Sequence, residues 1–184
     1  MNKSSAKVVL PNVRCSYVYA DKPNKHGKYS IQPLIEKDSA LHKKLAKIQK
    51  KILVEAFGEA AAKKTGKFKL AIRDGDDDRD GEEYEGMMFF NANSGKLPGI
   101  VNKNREPADA GDLEELCYSG AYFNVSVNFY AFPGSDDGGK PGVAVGFNNL
   151  MLHKEGDRLD GSSNAESDFA DFGSDDFDDD LDDL

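Results

Sequence analysis

YFNVSVNFYAF, residues 122–132, alternates without a break. Phe123, Val125, Val127, Phe129 and Ala131 fall on one side, and Tyr122, Asn124, Ser126, Asn128, Tyr130 and Phe132 on the other. Successive side chains of a strand point to opposite faces of a sheet. One side here is wholly apolar and the other is aromatic and polar. That pattern predicts an antiparallel strand with one face on a core and the other available.

Working outward, the Gly/Pro/Asp-rich run 133–142 reads as a turn, and Val143–Leu152 as a final strand bent at Gly146. Upstream, Lys7–Leu10, Arg14–Tyr19, Tyr29–Ile35, Lys67–Ile72 and Met87–Ala92 read as further strands. In Arg14–Tyr19, alternation puts Cys15, Tyr17 and Tyr19 on one face and Arg14, Ser16 and Val18 on the other. Residues 74–85 form a charged loop, and 93–111 are loop-rich. One helix is predicted, from about Ser39 to Lys64. Asp38 or Ser39 can cap it, and Leu41, Leu45, Ile48, Ile52 and Ala56 make one apolar stripe. Lys43, Lys44, Lys47, Lys50 and Lys51 lie largely off that stripe. Short strands separated by turns, with one inserted helix, predict a mainly β fold: a small OB-fold-like barrel with one inserted amphipathic α-helix.

Charge divides the chain. Residues 155–184 hold thirteen Asp/Glu and one Arg, a net of −12. Residues 1–154 are net +3, although eight of their acids crowd into Asp74–Glu85. A segment that is polar, acidic and poor in apolar residues buries too little surface to offset the entropy of ordering. The expected organisation is therefore a single barrel domain over 1–154 and a disordered acidic tail over 155–184. A basic body with an acidic tail points to nucleic acid. Phe169, Phe172, Phe177, Leu181 and Leu184 punctuate the tail. They suit docking on partner proteins, while the acids suit competition with nucleic acid for the basic groove.

Enzymatic signatures are missing. His26, His42 and His153 stand in no HExxH pattern, no Ser lies in GxSxG, and there is no phosphate loop. Asp76, Asp78, Asp80 and Gly81 match the opening of a calcium loop, but Met87 stands where a bidentate Glu is needed. A nuclease would hold two metals about 4 Å apart on rigid elements, whereas these acids share one Gly-rich loop. No catalysis, cofactor or metal is expected. Cys15 and Cys117 have no metal-ligand spacing and read as free thiols of a reducing cytosol. With no long apolar segment near Met1 or elsewhere, the chain reads as a cytoplasmic protein without a membrane partner.

Binding single strands without sequence preference needs cations for the backbone and flat rings for the bases. Tyr122 and Tyr130 flank Asn124 on the available face of the deciding strand. Tyr17, Tyr29, Tyr84 and Phe89 are further ring candidates, and Lys28, Lys67, Lys69, Arg73, Lys103 and Arg105 are the cations.

The order of motifs resembles a phage family of single-stranded DNA-binding proteins, formerly a domain of unknown function. The matching pieces are GKYSIQPLIEKDS (27–39), IRDGD (72–76), YEGMMFFNANS (84–94), LCYSGAYFNVSVNFYAF (116–132) and GKPGVAVGFNNLMLHKEGDRLDG (139–161). The resemblance implies an OB-type barrel with an acidic C-terminal tail, encoded by a phage and working in the host cytoplasm. Its partner would be single-stranded DNA, in replication or recombination, with replication or recombination proteins reached through the tail. Monomer and homodimer both remain open. The alternatives are an acidic-tail interaction protein or DNA mimic, which a net-positive body disfavours, and a metal-dependent nuclease.

Overall fold

A computed structural model describes residues 1–161 and Phe169. In chain order the elements are β1 (Ser5–Tyr19), β2 (Tyr29–Glu36), α1 (Ala40–Phe57) and α2 (Glu59–Ala62). Then come β3 (Arg73–Asp74), α3 (Gly75–Asp78), β4 (Met87–Phe89), β5 (Ala92–Ser94) and β6 (Gly99–Val101). The series ends with α4 (Ala110–Leu116), β7 (Tyr122–Phe132) and β8 (Gly142–Lys154).

The sheet closes on itself. β1 pairs antiparallel with β7, β7 with β8, β5 with β2, and β2 returns to β1; β5 and β8 pair in parallel. Parallel neighbours cannot be joined by a tight hairpin, so a long connection carrying β6, α4 and β7 separates β5 from β8. This is the mainly β, OB-like barrel that the alternation implies. Its core is one cluster in which Leu10, Phe90, Phe123, Val125, Val127 and Phe129 are fully buried. Phe90 meets Phe129 edge-on at 5.3 Å between ring centroids.

β1 and β8 differ from expectation in instructive ways. The two predicted pieces of β1 are one strand, bent twice. Leu10 pairs with Val125 and Val13 with Phe123, so one extra residue bulges at Pro11–Asn12. Asn12 there has φ 48°, and the Asn124 side chain accepts its N–H at 2.8 Å. The second bulge lies between Ser16, opposite Gln32, and Tyr19, opposite Ser30. It breaks the predicted alternation. Ser16 and Tyr19 share the barrel's outer face, and Tyr17, at φ 46°, is 53% exposed. In β8 the irregularity falls beyond Gly146, at Asn148, opposite the Ser126–Val127 step.

α1 starts at its predicted cap, where the Ser39 hydroxyl accepts the His42 N–H. It stops short, at Gly58 with φ 88°. Leu45, Ile52, Leu53 and Ala56 are its buried face. The predicted strand Lys67–Ile72 makes a single bridge, from Lys69 to Gly142. The Gln49 side chain takes the N–H groups of Ala71 and Ile72 and replaces a ladder there. α4 was not expected; Asp109 caps it, with a reciprocal bond from Asp112. The charged loop holds α3 and a short turn, and together with β3 and β4 it packs over the outer face of β2.

Beyond Lys154 the chain stays on the body rather than leaving it at residue 155. Arg14 donates to the Asp157 carbonyl, Tyr118 bonds Gly156, the Leu159 N–H donates to Ser119, and Arg158 covers the Tyr118 ring at 4.1 Å. Gly120, at φ 110°, makes room for this: a Cβ there would lie 2.0 Å from the Asp157 oxygen. Of the tail residues expected to dock on partners, Phe172, Phe177, Leu181 and Leu184 lie outside the described residues, and Phe169 is exposed.

Phe129 and Tyr130 are sequence neighbours on opposite faces. Phe129→Ala is expected to destabilise the fold by about 3–5 kcal/mol. Tyr130→Ala should cost less than about 1 kcal/mol. Urea unfolding of both variants checks this, and similar losses would show that the strand is not split between core and surface.

Candidate nucleic-acid interface

Residues paired across neighbouring strands share a face of the sheet. Tracing pairs across the outer face gives a continuous row: Tyr19 to Ser30, Ser30 to Asn93, Asn93 to Gly146, and Gly146 to Asn128. The row crosses β1, β2, β5, β8 and β7. Its middle is made of small or amide side chains. Tyrosines stand at its two sides, with Tyr19 39% and Tyr130 40% exposed.

Gly146 shapes the centre. Its Cβ, if present, would sit 3.9 Å from the Tyr130 ring, so the ring stands beside a gap in the side-chain layer. The side chains of Asn93 and Asn128 have no hydrogen-bond partner among the described residues, which leaves two amides free to bond a ligand. Tyr17 extends the aromatic side along β1.

Two loops carry cations to the ends of the row. Residues 20–28, directly after Tyr19, present exposed Lys22, Lys25 and Lys28. Asn24 shapes that turn by accepting the N–H groups of His26 and Lys28. At the other end, Phe132 continues the outer face of β7. With Lys69 and Lys140 it lines an open pocket of about 620 Å³. Lys67, also exposed, precedes Phe68 of the same pocket.

The structure separates the other predicted residues from this row. Tyr84 and Phe89 are buried, at 3% and 0% exposure, and pack edge-on in a second small core over β2 with Leu34. Neither ring is available for stacking, a correction to the sequence reading. The Tyr84 hydroxyl bonds Gln32 and Ser16, and burial pushes its pKa up. Arg73 is paired with Asp78 at 2.9 Å and lies over Phe89. Tyr122 is half-buried and holds Lys154 over its ring at 4.5 Å, while Asn124 is committed to the β1 bulge. Tyr29 is half-buried beside Ser94, and Lys103 and Arg105 lie in the loop between β6 and α4. Tyr19, Ser30, Asn93, Asn128 and Gly146 were not singled out from sequence. Tyr19 had a local signal, as an aromatic residue next to a basic turn, and Asn128 another, on the available face of the strand 122–132.

Three carboxylates of the acidic segment, Asp74, Asp76 and Asp78, are ion-paired. Lys37 contacts both Asp74 and Asp76, and Asp76 also accepts the Gly86 N–H at 3.0 Å. The described residues contain no group of three or more His, Cys, Asp or Glu placed to hold a metal ion. Cys15 and Cys117 are free thiols. Burial pushes Cys15 well above its ordinary value and, with Asp21 nearby, raises Cys117 to about 12. No described helix is long and apolar enough to cross a membrane.

A five-stranded barrel closed through a parallel pair, with an aromatic and amide outer face, is of the oligonucleotide/oligosaccharide-binding type. Residues 6–181 match the family described as Enterobacter phage Enc34, ssDNA-binding protein, and the chain belongs to that family. It is similar in structure to the single-stranded DNA-binding protein of bacteriophage Enc34 in complex with ssDNA, with a TM-score of 0.68 and 25% identity. That similarity covers 83% of this chain and 89% of the other. The fold is also that of gp2.5, a single-stranded DNA-binding protein of bacteriophage T7, with a TM-score of 0.62 at 14% identity over 94% of this chain and 97% of the other. Among curated proteins, putative protein p50 of Acyrthosiphon pisum secondary endosymbiont phage 1 is 30% identical over 97 residues, 53% of this chain. The match spans about half of that relative's length, 49%.

The ion-pair cluster makes a pH prediction. Hydrogen bonds from Lys37 hold the Asp74 and Asp76 carboxyls below their ordinary 3.8. Folded values below unfolded ones mean that this stabilisation is complete above pH 3.8 and is lost as the pH falls through the depressed values. Lys37→Ala should return both carboxyls toward 3.8 in an NMR titration. Unmoved carboxyl titrations would show that Lys37 is not their partner.

Proposed function

We propose that this protein binds single-stranded DNA without sequence preference and without catalysing a reaction, in phage DNA replication or recombination. The observation that carries the proposal is the outer-face row Tyr19–Ser30–Asn93–Gly146–Asn128 with Tyr130 beside it. A strand laid across the row meets rings at both sides, free amides between them, and lysine-bearing loops at its ends. Rings accept any base, because every base has a π-face, and a polar floor with a gap at Gly146 admits a base or sugar close to the backbone. Family membership and likeness to a relative solved with ssDNA support the same reading.

Tyr17, Tyr19, Tyr130 and Phe132 take the stacking role, and Lys22, Lys25, Lys28, Lys67, Lys69 and Lys140 the phosphates. The barrel is the binding domain, and the acidic tail that follows it competes with DNA and recruits replication or recombination proteins through Phe169, Phe172, Phe177, Leu181 and Leu184. The site of action is the host cytoplasm.

Fluorescence anisotropy of labelled oligothymidine against duplex of equal length tests the proposal. Affinity should favour the single strand and fall with salt, with a log–log slope near −0.7 per phosphate neutralised. Tyr19→Ala and Tyr130→Ala should each weaken binding by about 1–3 kcal/mol. Truncation after Gly161 should tighten binding at low salt. Equal affinity for duplex, or no effect of either tyrosine, would defeat the assignment.

Gly146→Val offers a second test. An added Cβ meets only ordinary contacts, at 3.7 Å from the Asn128 oxygen and 3.9 Å from Tyr130. The variant should keep its melting temperature within a few degrees yet bind single strands several-fold more weakly. Undiminished binding would move the strand off the row.

A further inference from the structure

Tyr19 belongs to the row and also to a pocket beside it. With the turn that follows it, with α4 and with residues 158 and 160, it lines an open cavity of about 860 Å³. Small-ligand sites span about 300–1,000 Å³. Asp21, Lys22, Glu114, Tyr118 and Arg158 supply most of its functional groups. The Arg158 guanidinium lies 4.1 Å from the centroid of the Tyr118 ring and meets Asp160 at 3.4 Å. It is a planar group held in one place. The backbone that carries it is anchored on both sides, Gly156 to the Tyr118 hydroxyl and the Leu159 N–H to the Ser119 carbonyl.

Charge decides which part of a nucleotide fits. Asp21, Glu114 and Asp160 outnumber Lys22 and Arg158 in the lining, and Arg158 is already engaged by Asp160. A phosphate here would sit among carboxylates of its own sign. A base carries no net charge, and a guanidinium plane is a surface on which bases stack. The backbone has cations outside the pocket, because Lys22, Lys25 and Lys28 are exposed along the adjoining turn. The arrangement takes a base inward and leaves its phosphates at the rim.

The carboxylates also decide which base. When ionised they only accept hydrogen bonds. Asp21 is half-buried, two residues beyond Tyr19. One of its oxygens accepts weakly from the Cys117 thiol at 3.8 Å. The other has no hydrogen-bond partner among the described residues. Guanine presents two donors side by side, N1–H and the 2-amino group, spaced to meet both oxygens of one carboxylate. Thymine presents a single N–H between two carbonyls, which a carboxylate repels. Adenine and cytosine set one amino group beside an acceptor nitrogen. We infer that this pocket takes one guanine from a strand lying on the row. The base stacks against Arg158, and Asp21 reads its Watson–Crick edge. The inference rests on the strand-binding reading and deepens it: the row takes any base, and one position at its Tyr19 end discriminates.

Fluorescence anisotropy of the full-length protein with three labelled oligomers tests this. They are oligothymidine, the same oligomer with one central deoxyguanosine, and the same with one central deoxyinosine, which keeps the purine ring and N1–H but lacks the 2-amino group. The deoxyguanosine oligomer should bind about fivefold or more tightly than either of the others. Asp21→Asn should level deoxyguanosine with deoxyinosine. Tyr130→Ala, on the far side of the row, should weaken all three alike and keep their ratio. In ¹⁵N spectra, the amides of Asp21, Leu113 and Ser119 should shift with the deoxyguanosine oligomer beyond what oligothymidine produces. Equal affinity for deoxyguanosine and thymidine would overturn the inference while leaving strand binding intact. Deoxyinosine binding as tightly as deoxyguanosine would reduce the preference to purine stacking and overturn the carboxylate's part. So would a preference unchanged in Asp21→Asn, or amide shifts that bypass the pocket. Failure of every oligomer to bind would instead bring down the strand-binding reading, and the guanine pocket with it.

Discussion

Closure of the barrel depends on β1 serving two neighbours. Its first half hydrogen-bonds β7 and its second half β2. A straight strand of fifteen residues cannot follow both. Two bulges give the bends, at Pro11–Asn12 and between Ser16 and Tyr19. A bulge also re-aims side chains, and here the second one turns Tyr17 and Tyr19 outward beside the basic turn. The feature that closes the core therefore also builds one side of the proposed strand path. The other side comes from β7, whose regular alternation needs no such device.

Charge is partitioned on the same frame. The acids of Asp74–Glu85 sit over the outer face of β2, next to the row, but Lys37 and Arg73 balance several of them. They wall off part of β2 rather than repel a strand along the whole face. The lysine loops lie at the ends of the row, and the most basic stretch lies on and after α1. An overall charge of −9 conceals regions of opposite charge. Residues 156–159 are held by Arg14, Tyr118 and Ser119, and Arg158 and Asp160 line a pocket with Tyr19.

What could be read from sequence was what depends on near neighbours. The alternation of 122–132 held because both edges of β7 are paired along its length. The α1 stripe and its Ser39 cap are likewise local. Lys67–Ile72 shows why alternation can mislead: Phe68 is buried, yet Gln49 takes the N–H groups a partner strand would need. Tyr84 and Phe89 look like surface rings because the second small core that covers them is built by pairing with β2. Ser30 and Asn93 carry no local signal, Gly146 reads only as a bend, and Asn128 only as one of several residues on the available face of its strand. They become a site only through registers that join residues far apart in the chain. Family likeness identified the class, but not which tyrosines face outward.

The most direct test of the central claim is an amide-shift titration of the ¹⁵N-labelled protein with oligothymidine, followed by two-dimensional NMR. The account predicts the largest changes at Tyr19, Ser30, Asn93, Asn128, Tyr130 and Gly146, tapering into residues 20–28 and 133–141. Changes confined to α1, to 74–86 or to the 102–107 loop, with the row unmoved, would contradict it.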